Sequence, residues 1–214
     1  MKSFADKGIF WFRNAADELA LNEIEGCLRI SDEPRRRLAL TDAFRGAIAF
    51  ADVLAHRILP GARAVRALYF DKSQASNWVI GWHQDRVIAV QERVLMDGFM
   101  NWTRKEGTWH VEPPVNFLAR MVFLRVHLDD TDTTNGCMQI ALGSHLSGKI
   151  DASQAGLIAQ NSQIENCIAS RGDVLAGHAL ILHRSGPSHV STRRRALRID
   201  YSADRLPAPL EWTY

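Results

Sequence analysis

Beyond Pro60 the chain is a succession of short β-prone runs with no helical period between them, and this narrows the fold more than any other feature. The runs are Ala64–Phe70, Trp78–Trp82, Val87–Val90, Leu118–Leu128, Cys137–Leu142, Val174–Ala176, Ala179–His183 and Ala196–Tyr201. Clusters of Gly, Asn, Asp and Pro separate them, Asp129 to Gly136 above all. Strands punctuated in this way predict a sandwich or jelly roll rather than βαβ units. The residues before Pro60 read as helical. Asn14 is placed to cap a helix over Ala15–Leu28, and Ser31-Asp32-Glu33-Pro34 breaks the chain. Thr41 or Asp42 caps a second helix whose stripe is Phe44, Ile48, Val53, Leu54 and Ile58. The prediction is a mainly β protein with N-terminal helices. It forms one domain over 1–214, helical over 1–60, with a jelly-roll core over 61–204. The stretch Asp97–Asn116 reads as a long loop of the kind that covers sites.

Composition adds exclusions. In 214 residues, 26 Lys+Arg stand against 24 Asp+Glu, for a net charge of +2, which gives no field for holding nucleic acid. No run approaches the ~18 apolar residues of a membrane span. The N-terminus carries no apolar stretch of signal-peptide type. The three cysteines, Cys27, Cys137 and Cys167, suit a reducing compartment better than a disulfide framework. A cytoplasmic protein acting on a small molecule is expected, with its oligomeric state unread.

The chemistry lies in three places. In Trp82-His83-Gln84-Asp85, strand alternation points His83 and Asp85 one way and Gln84 the other. An imidazole and a carboxylate so placed can chelate one metal ion; equally, Asp85 can merely orient a structural histidine. The second place is His183, at the end of an apolar run, with Ser185 on the same face. Two histidines and one carboxylate from separate strands make the facial triad of non-haem Fe(II), though a strand-end histidine is also an ordinary core residue. The third is Arg193-Arg194-Arg195. A basic triplet can be a solvated turn, or one guanidinium can point inward beside Ser185 and clamp the far end of a dicarboxylate.

Taken in order, Trp82-His83-Gln84-Asp85, Asn135 to His145, Gly172-Asp173, His183-Arg184-Ser185-Gly186-Pro187 and Arg194-Arg195-Ala196-Leu197 resemble the phytanoyl-CoA dioxygenase family. The resemblance spans about residues 64 to 201. It implies a double-stranded β-helix of cupin-like jelly-roll type that uses Fe(II), 2-oxoglutarate as cosubstrate and O2. The iron ligands it implies are His83, Asp85 and His183. Its cosubstrate arginine, eleven residues beyond the distal histidine, is Arg194, and Ser185 assists the same carboxylate. Alternation then leaves Arg193 and Arg195 pointing away. His145 reads as a turn residue. Leu142 and Ser188 stand where the family commonly has Pro and Asn, both in turns. Asp85 keeps the carboxylate that related halogenases replace, which argues against halogenation.

The remaining candidates are weaker. Lys72, Asn77, Trp78, Phe99, Trp102 and Trp109 are placed to line a pocket mouth as substrate contacts. His178 falls on the strand face opposite His183, His127 reads as a packed polar residue beside Arg125, and His56, His110 and His189 as surface or loop residues. The resemblance implies hydroxylation of an unactivated C–H in a small organic metabolite, with 2-oxoglutarate decarboxylated to succinate. Desaturation or cyclisation on the same site is the nearest alternative. A Zn-dependent hydrolase leaves the inward arginine without a role, and a non-catalytic jelly-roll binding protein leaves the triad without one. The chain's brevity favours a free metabolite over a CoA- or carrier-bound one.

Overall fold

The structure is a computed structural model, and it describes residues 2–28 and 35–213; the break expected at Ser31–Pro34 lies outside them. In chain order the elements are α1 (Lys2–Lys7), β1 (Ile9–Phe12), α2 (Glu18–Leu28), β2 (Arg35–Leu38), α3 (Asp42–Ala47), α4 (Ala49–Ile58), β3 (Arg63–Lys72), β4 (Ile80–His83), β5 (Ile88–Val90), β6 (Met100–Lys105), β7 (Thr108–Glu112), α5 (Val115–Leu118), β8 (Met121–His127), β9 (Met138–Ala141), α6 (Ala155–Gln160), β10 (Ile164–Asn166), β11 (Val174–His178), β12 (His183–Ser185) and β13 (Arg194–Ser202). A six-stranded sheet runs β1-β11-β8-β13-β3-β2 and a four-stranded one β10-β9-β12-β4, every pairing antiparallel. Strands adjacent in space are distant in sequence, which is the jelly-roll connectivity the strand pattern predicts.

Alternation along β8 and β13 organises the molecule. Val122, Leu124, Val126, Leu197, Ile199 and Tyr201 join the largest apolar core, with Leu21 and Ile24 of α2, Phe44 of α3 and Ala51 and Ala55 of α4. The intervening Phe123, Arg125, Arg194 and Arg198 instead line a cavity against the four-stranded sheet. Helices α2, α3 and α4 thus cover one face of the six-stranded sheet and leave the other free to build a site. Among the described residues, no helix is long and apolar enough to cross a membrane.

The helical ends differ in detail from the sequence reading. Asn14 sits at φ 49°, and Asp17 is the residue that caps α2, its Oδ1 accepting from Ala20 N at 2.9 Å. Thr41 does cap α3, through Phe44 N at 3.3 Å. The expected second helix is interrupted at Ile48, and Val53 points outward with 63% of its surface exposed. Small residues, Ala51 and Ala55, form the buried stripe, so α4 packs close to the sheet.

Asp97–Asn116 is not an irregular loop. It contains the hairpin β6–β7, turned by Glu106 and Gly107 at φ 49° and 79°, the left-handed pair that suits a two-residue hairpin. Alternation is hidden there by a register shift between Met100 and Thr103, where Asn101 takes φ 56°. Ala179–Leu182 is likewise a turn rather than the start of a strand, and β12 begins at His183.

Gly177 faces Phe123 across β11 and β8, and a Cβ there would lie 2.3 Å from the Phe123 ring. Because this ring lines the cavity, Gly177→Ala is expected to cost about 1–3 kcal/mol of stability in urea denaturation, and a neutral result would show that Phe123 moves aside freely.

Candidate active site

The cavity between the two sheets measures about 360 Å³. Arg125, Arg194, Arg198, Leu68 and Phe70 come from the six-stranded sheet, and His83, Ile80, Met138, His183 and Ser185 from the four-stranded one. Antiparallel pairing of β4 with β12 sets His183 opposite His83, with ring centroids 4.3 Å apart. Asp85 follows two residues after β4 closes. Its carboxylate lies 3.3 Å from His183 Nε2 and 3.9 Å from His83 Nε2. One ligand atom from each of the three lies within 4.8 Å of the others, the group among the described residues that could hold a metal ion. Gln84 points the opposite way, as alternation predicts, donating to Gly148 O at 2.8 Å and Leu180 O at 2.7 Å and accepting from Ile150 N.

The protonation states suit ligation. His83 Nδ1 lies 2.8 Å from Gly81 O and His183 Nδ1 3.0 Å from Ile181 O. A carbonyl only accepts, so each ring donates from Nδ1 and turns its Nε2 inward, toward the other ring and Asp85. Burial, then the neighbouring His183, pushes the His83 pKa down and keeps it neutral. Burial would raise Asp85, but the Arg198 guanidinium and His183 hold it well below the usual carboxylate range. A hard carboxylate and two imidazoles form a donor set that fits Fe(II).

Arg198 is absent from the sequence reading. It is 5% exposed, donates through Nη1 to Asp85 and through Nε to Asp200 at 2.7 Å, and lies 4.2 Å over the Phe123 ring. Asp200 in turn accepts from Arg66 at 2.5 Å. This buried chain of alternating charge fixes the orientation of Asp85. Its spacing was the available signal: Arg194, Ala196 and Arg198 share one face of β13.

The three consecutive arginines separate as alternation demands. Arg193 is forked onto Asp71, and Arg195 onto Asp129 at 2.9 and 2.6 Å. Arg194 points into the cavity, 2% exposed, its Nε without a hydrogen-bond partner. Burial lowers its pKa to about 10, so it stays cationic. A buried, unsatisfied guanidinium is the feature that a cosubstrate carboxylate would complete. Ser185 lies on the cavity wall, its hydroxyl 3.2 Å from Lys72 Nζ and 3.1 Å from Gly136 O.

Of the proposed substrate contacts, Trp78 lines the cavity. Lys72 is fully buried behind Ser185, donating to Trp78 O at 2.8 Å and to Gly186 O at 2.5 Å; burial, then Arg194, lowers its pKa to about 8. Asn77 exchanges two backbone hydrogen bonds with Ser188, at 2.8 and 2.7 Å, and so pins the loop after β12. Phe99, Trp102 and Trp109 pack instead in a second apolar cluster with Trp212 and Leu210, away from the cavity; from this hairpin, Glu106 at the turn reaches the cavity wall.

The other histidines are structural in their contacts. His178 bonds Ala119 O at 3.0 Å, His145 bonds Ala5 O at 3.0 Å, and His127 lies against Trp11. His110 is a buried strand residue rather than a loop one, 3% exposed and 2.7 Å from Arg37. The three cysteines are free, and burial pushes the Cys137 and Cys167 thiols up, so neither is a nucleophile.

Solved structures share this fold at low sequence identity. EvdMO1 superposes with a TM-score of 0.70 at 17% identity, over 94% of this chain and 48% of its own, so this chain spans about half of that protein's length. SnoN, described as a non-heme alpha ketoglutarate dependent epimerase from nogalamycin biosynthesis, gives 0.66 at 14% identity, over 97% and 88%. HygX from Streptomyces hygroscopicus, solved with nickel and 2-oxoglutarate bound, gives 0.65 at 15% identity, over 93% and 83%. No curated protein matches the chain in sequence. Residues 4–196 match the family described as Phytanoyl-CoA dioxygenase (PhyH). The chain therefore belongs to the phytanoyl-CoA dioxygenase family and is a 2-oxoglutarate-dependent oxidoreductase that uses Fe(II) and O2.

Proposed function

We propose that this protein hydroxylates an unactivated C–H bond of a small organic metabolite, with His83, Asp85 and His183 as iron ligands and Arg194 and Ser185 as the cosubstrate anchor. The observation that carries the reading is the pairing of a two-histidine, one-carboxylate group with a buried arginine whose Nε has no hydrogen-bond partner, in one cavity. When bound, Fe(II) and 2-oxoglutarate supply O2 activation, with the cosubstrate oxidised to succinate and CO2.

The chain's own groups do the positioning. Gly81 O and Ile181 O hold the two imidazole planes, and Arg198 holds Asp85. His83, Asp85 and His183 would hold the metal and leave room beside it for the cosubstrate and O2. Arg194 would hold the distal carboxylate of the cosubstrate. Leu68, Ile80, Phe123 and Met138 supply the apolar part of the cavity wall, against which an organic substrate can pack. Trp78, on the same wall, presents a flat apolar face to an organic substrate. SnoN, named an epimerase, shows that this fold serves outcomes other than hydroxyl return; here the hydroxylase reading is supported by membership of the phytanoyl-CoA dioxygenase family. A free metabolite suits a cavity of about 360 Å³.

Two sets of measurements test it. His83→Ala, Asp85→Ala and His183→Ala should each weaken Fe(II) or Ni(II) binding by more than about 100-fold in anaerobic calorimetry, since even second-sphere changes reach that size; near-wild-type affinity would remove the residue from the ligand set. Arg194→Ala should raise the KM for 2-oxoglutarate roughly 30-fold or more in a succinate-release assay, whereas Arg193→Ala, whose guanidinium is spent on Asp71, should leave it unchanged. Equal effects of the two would mean that the wrong arginine has been chosen.

A further inference from the structure

We propose that Arg125 is a second anion-binding residue of this cavity, sharing the distal carboxylate of 2-oxoglutarate with Arg194. The inference rests on the oxygenase reading above and deepens it. Alternation on β8 turns Arg125 to the cavity face, in register with Arg198 on β13. It is 7% exposed, its Nε has no hydrogen-bond partner, and it forms no ion pair among the described residues. Its guanidinium lies 5.4 Å from the Phe70 ring.

The charges around it are of its own sign. Arg194 is its strongest charged neighbour, ahead of Arg198. The acids nearby are taken: Asp129 by Arg195, and Asp85 and Asp200 by Arg198. The thiols of Cys137 and Cys167 offer no counter-charge, because burial pushes their pKa values up. Burial followed by Arg194 lowers the Arg125 pKa to about 9, still cationic at neutral pH.

Two adjacent buried guanidiniums without a counter-ion destabilise a fold, since each has lost its hydration and gained a repulsion. Ion pairing among the described residues does not account for them. A carboxylate does: its two oxygens offer about four acceptor sites, enough for donors from both forks. Arg198 is neutralised by two carboxylates, whereas Arg125 and Arg194 line the same cavity and have no ion pair among the described residues. Arg125 is therefore assigned to the distal carboxylate and to selection of a dicarboxylic cosubstrate.

The test compares 2-oxoglutarate with 2-oxopentanoate, which has the same chain with a methyl in place of the distal carboxylate. Both are titrated calorimetrically into anaerobic Ni(II)-loaded protein, and ligand-free melting is measured in parallel. Arg125→Met should weaken 2-oxoglutarate roughly 30-fold or more, leave 2-oxopentanoate within about 3-fold, and raise the ligand-free melting temperature, because an unpaired buried charge has been removed. Arg125→Lys, which keeps the charge but not the fork, should fall between wild type and Arg125→Met for 2-oxoglutarate. Unchanged 2-oxoglutarate affinity with a lower melting temperature would assign Arg125 to packing and overturn the proposal. Equal weakening of both ligands would place it at the keto-acid end and overturn it too. If the wild-type protein itself bound no 2-oxoglutarate, the oxygenase reading would fail first and this proposal with it.

Discussion

The register that sets His183 opposite His83 is the constraint on which the rest of the site depends. Pairing of β4 with β12 brings two imidazoles from positions one hundred residues apart to a ring separation of 4.3 Å. Backbone carbonyls two residues upstream of each histidine fix both tautomers alike. A slip of one residue would send both side chains to the other face of the sheet. Around this pair everything else is orientation: Asp85 reaches it from beyond the strand, and Gln84 ties the same segment to Gly148 and Ile150 on the far side.

The second organising principle is positive charge held in a poorly solvated place. β13 carries Arg194 and Arg198 on one face, and only Arg198 has acids to meet it. Arg198 fixes Asp85, while Arg194 is left a buried charge with no ion pair among the described residues. Arg193 and Arg195, on the outer face, are each met by a carboxylate. One short basic run thus serves both stability and binding, and side-chain alternation decides which residue does which. The low net charge of the chain, +2, agrees with a site that attracts its ligand by a few enclosed charges rather than by a broad surface field.

Much of this was legible in the sequence. The β texture after Pro60 gave the fold class, and alternation within Trp82–Asp85 and across Arg193–Arg195 gave the directions of the side chains that matter. What escaped has physical reasons. The hairpin Met100–Glu112 was hidden because the irregularity at Asn101 breaks the period-two pattern. Phe99, Trp102 and Trp109 looked like a pocket mouth because aromatic residues in a polar stretch suit one; their partners, Leu210 and Trp212, lie near the other end of the chain. Lys72 resembled a contact for the same kind of reason, whereas tertiary structure surrounds its ammonium with Trp78 O, Gly186 O and Ser185. Arg198 and Arg125 needed the two sheets to be juxtaposed before their charges had meaning.

The central claim is that Fe(II) and 2-oxoglutarate share one site formed by His83, Asp85, His183 and Arg194. Anaerobic optical titration tests it most directly. Adding 2-oxoglutarate to the Fe(II)-loaded protein should produce the weak visible metal-to-ligand charge-transfer band of a chelated 2-oxo acid, saturating at one equivalent. Succinate, which has the carboxylates but no keto group to chelate, should not produce it. Absence of the band in protein shown to have bound both Fe(II) and 2-oxoglutarate would mean that the two occupy separate places, and would contradict the account.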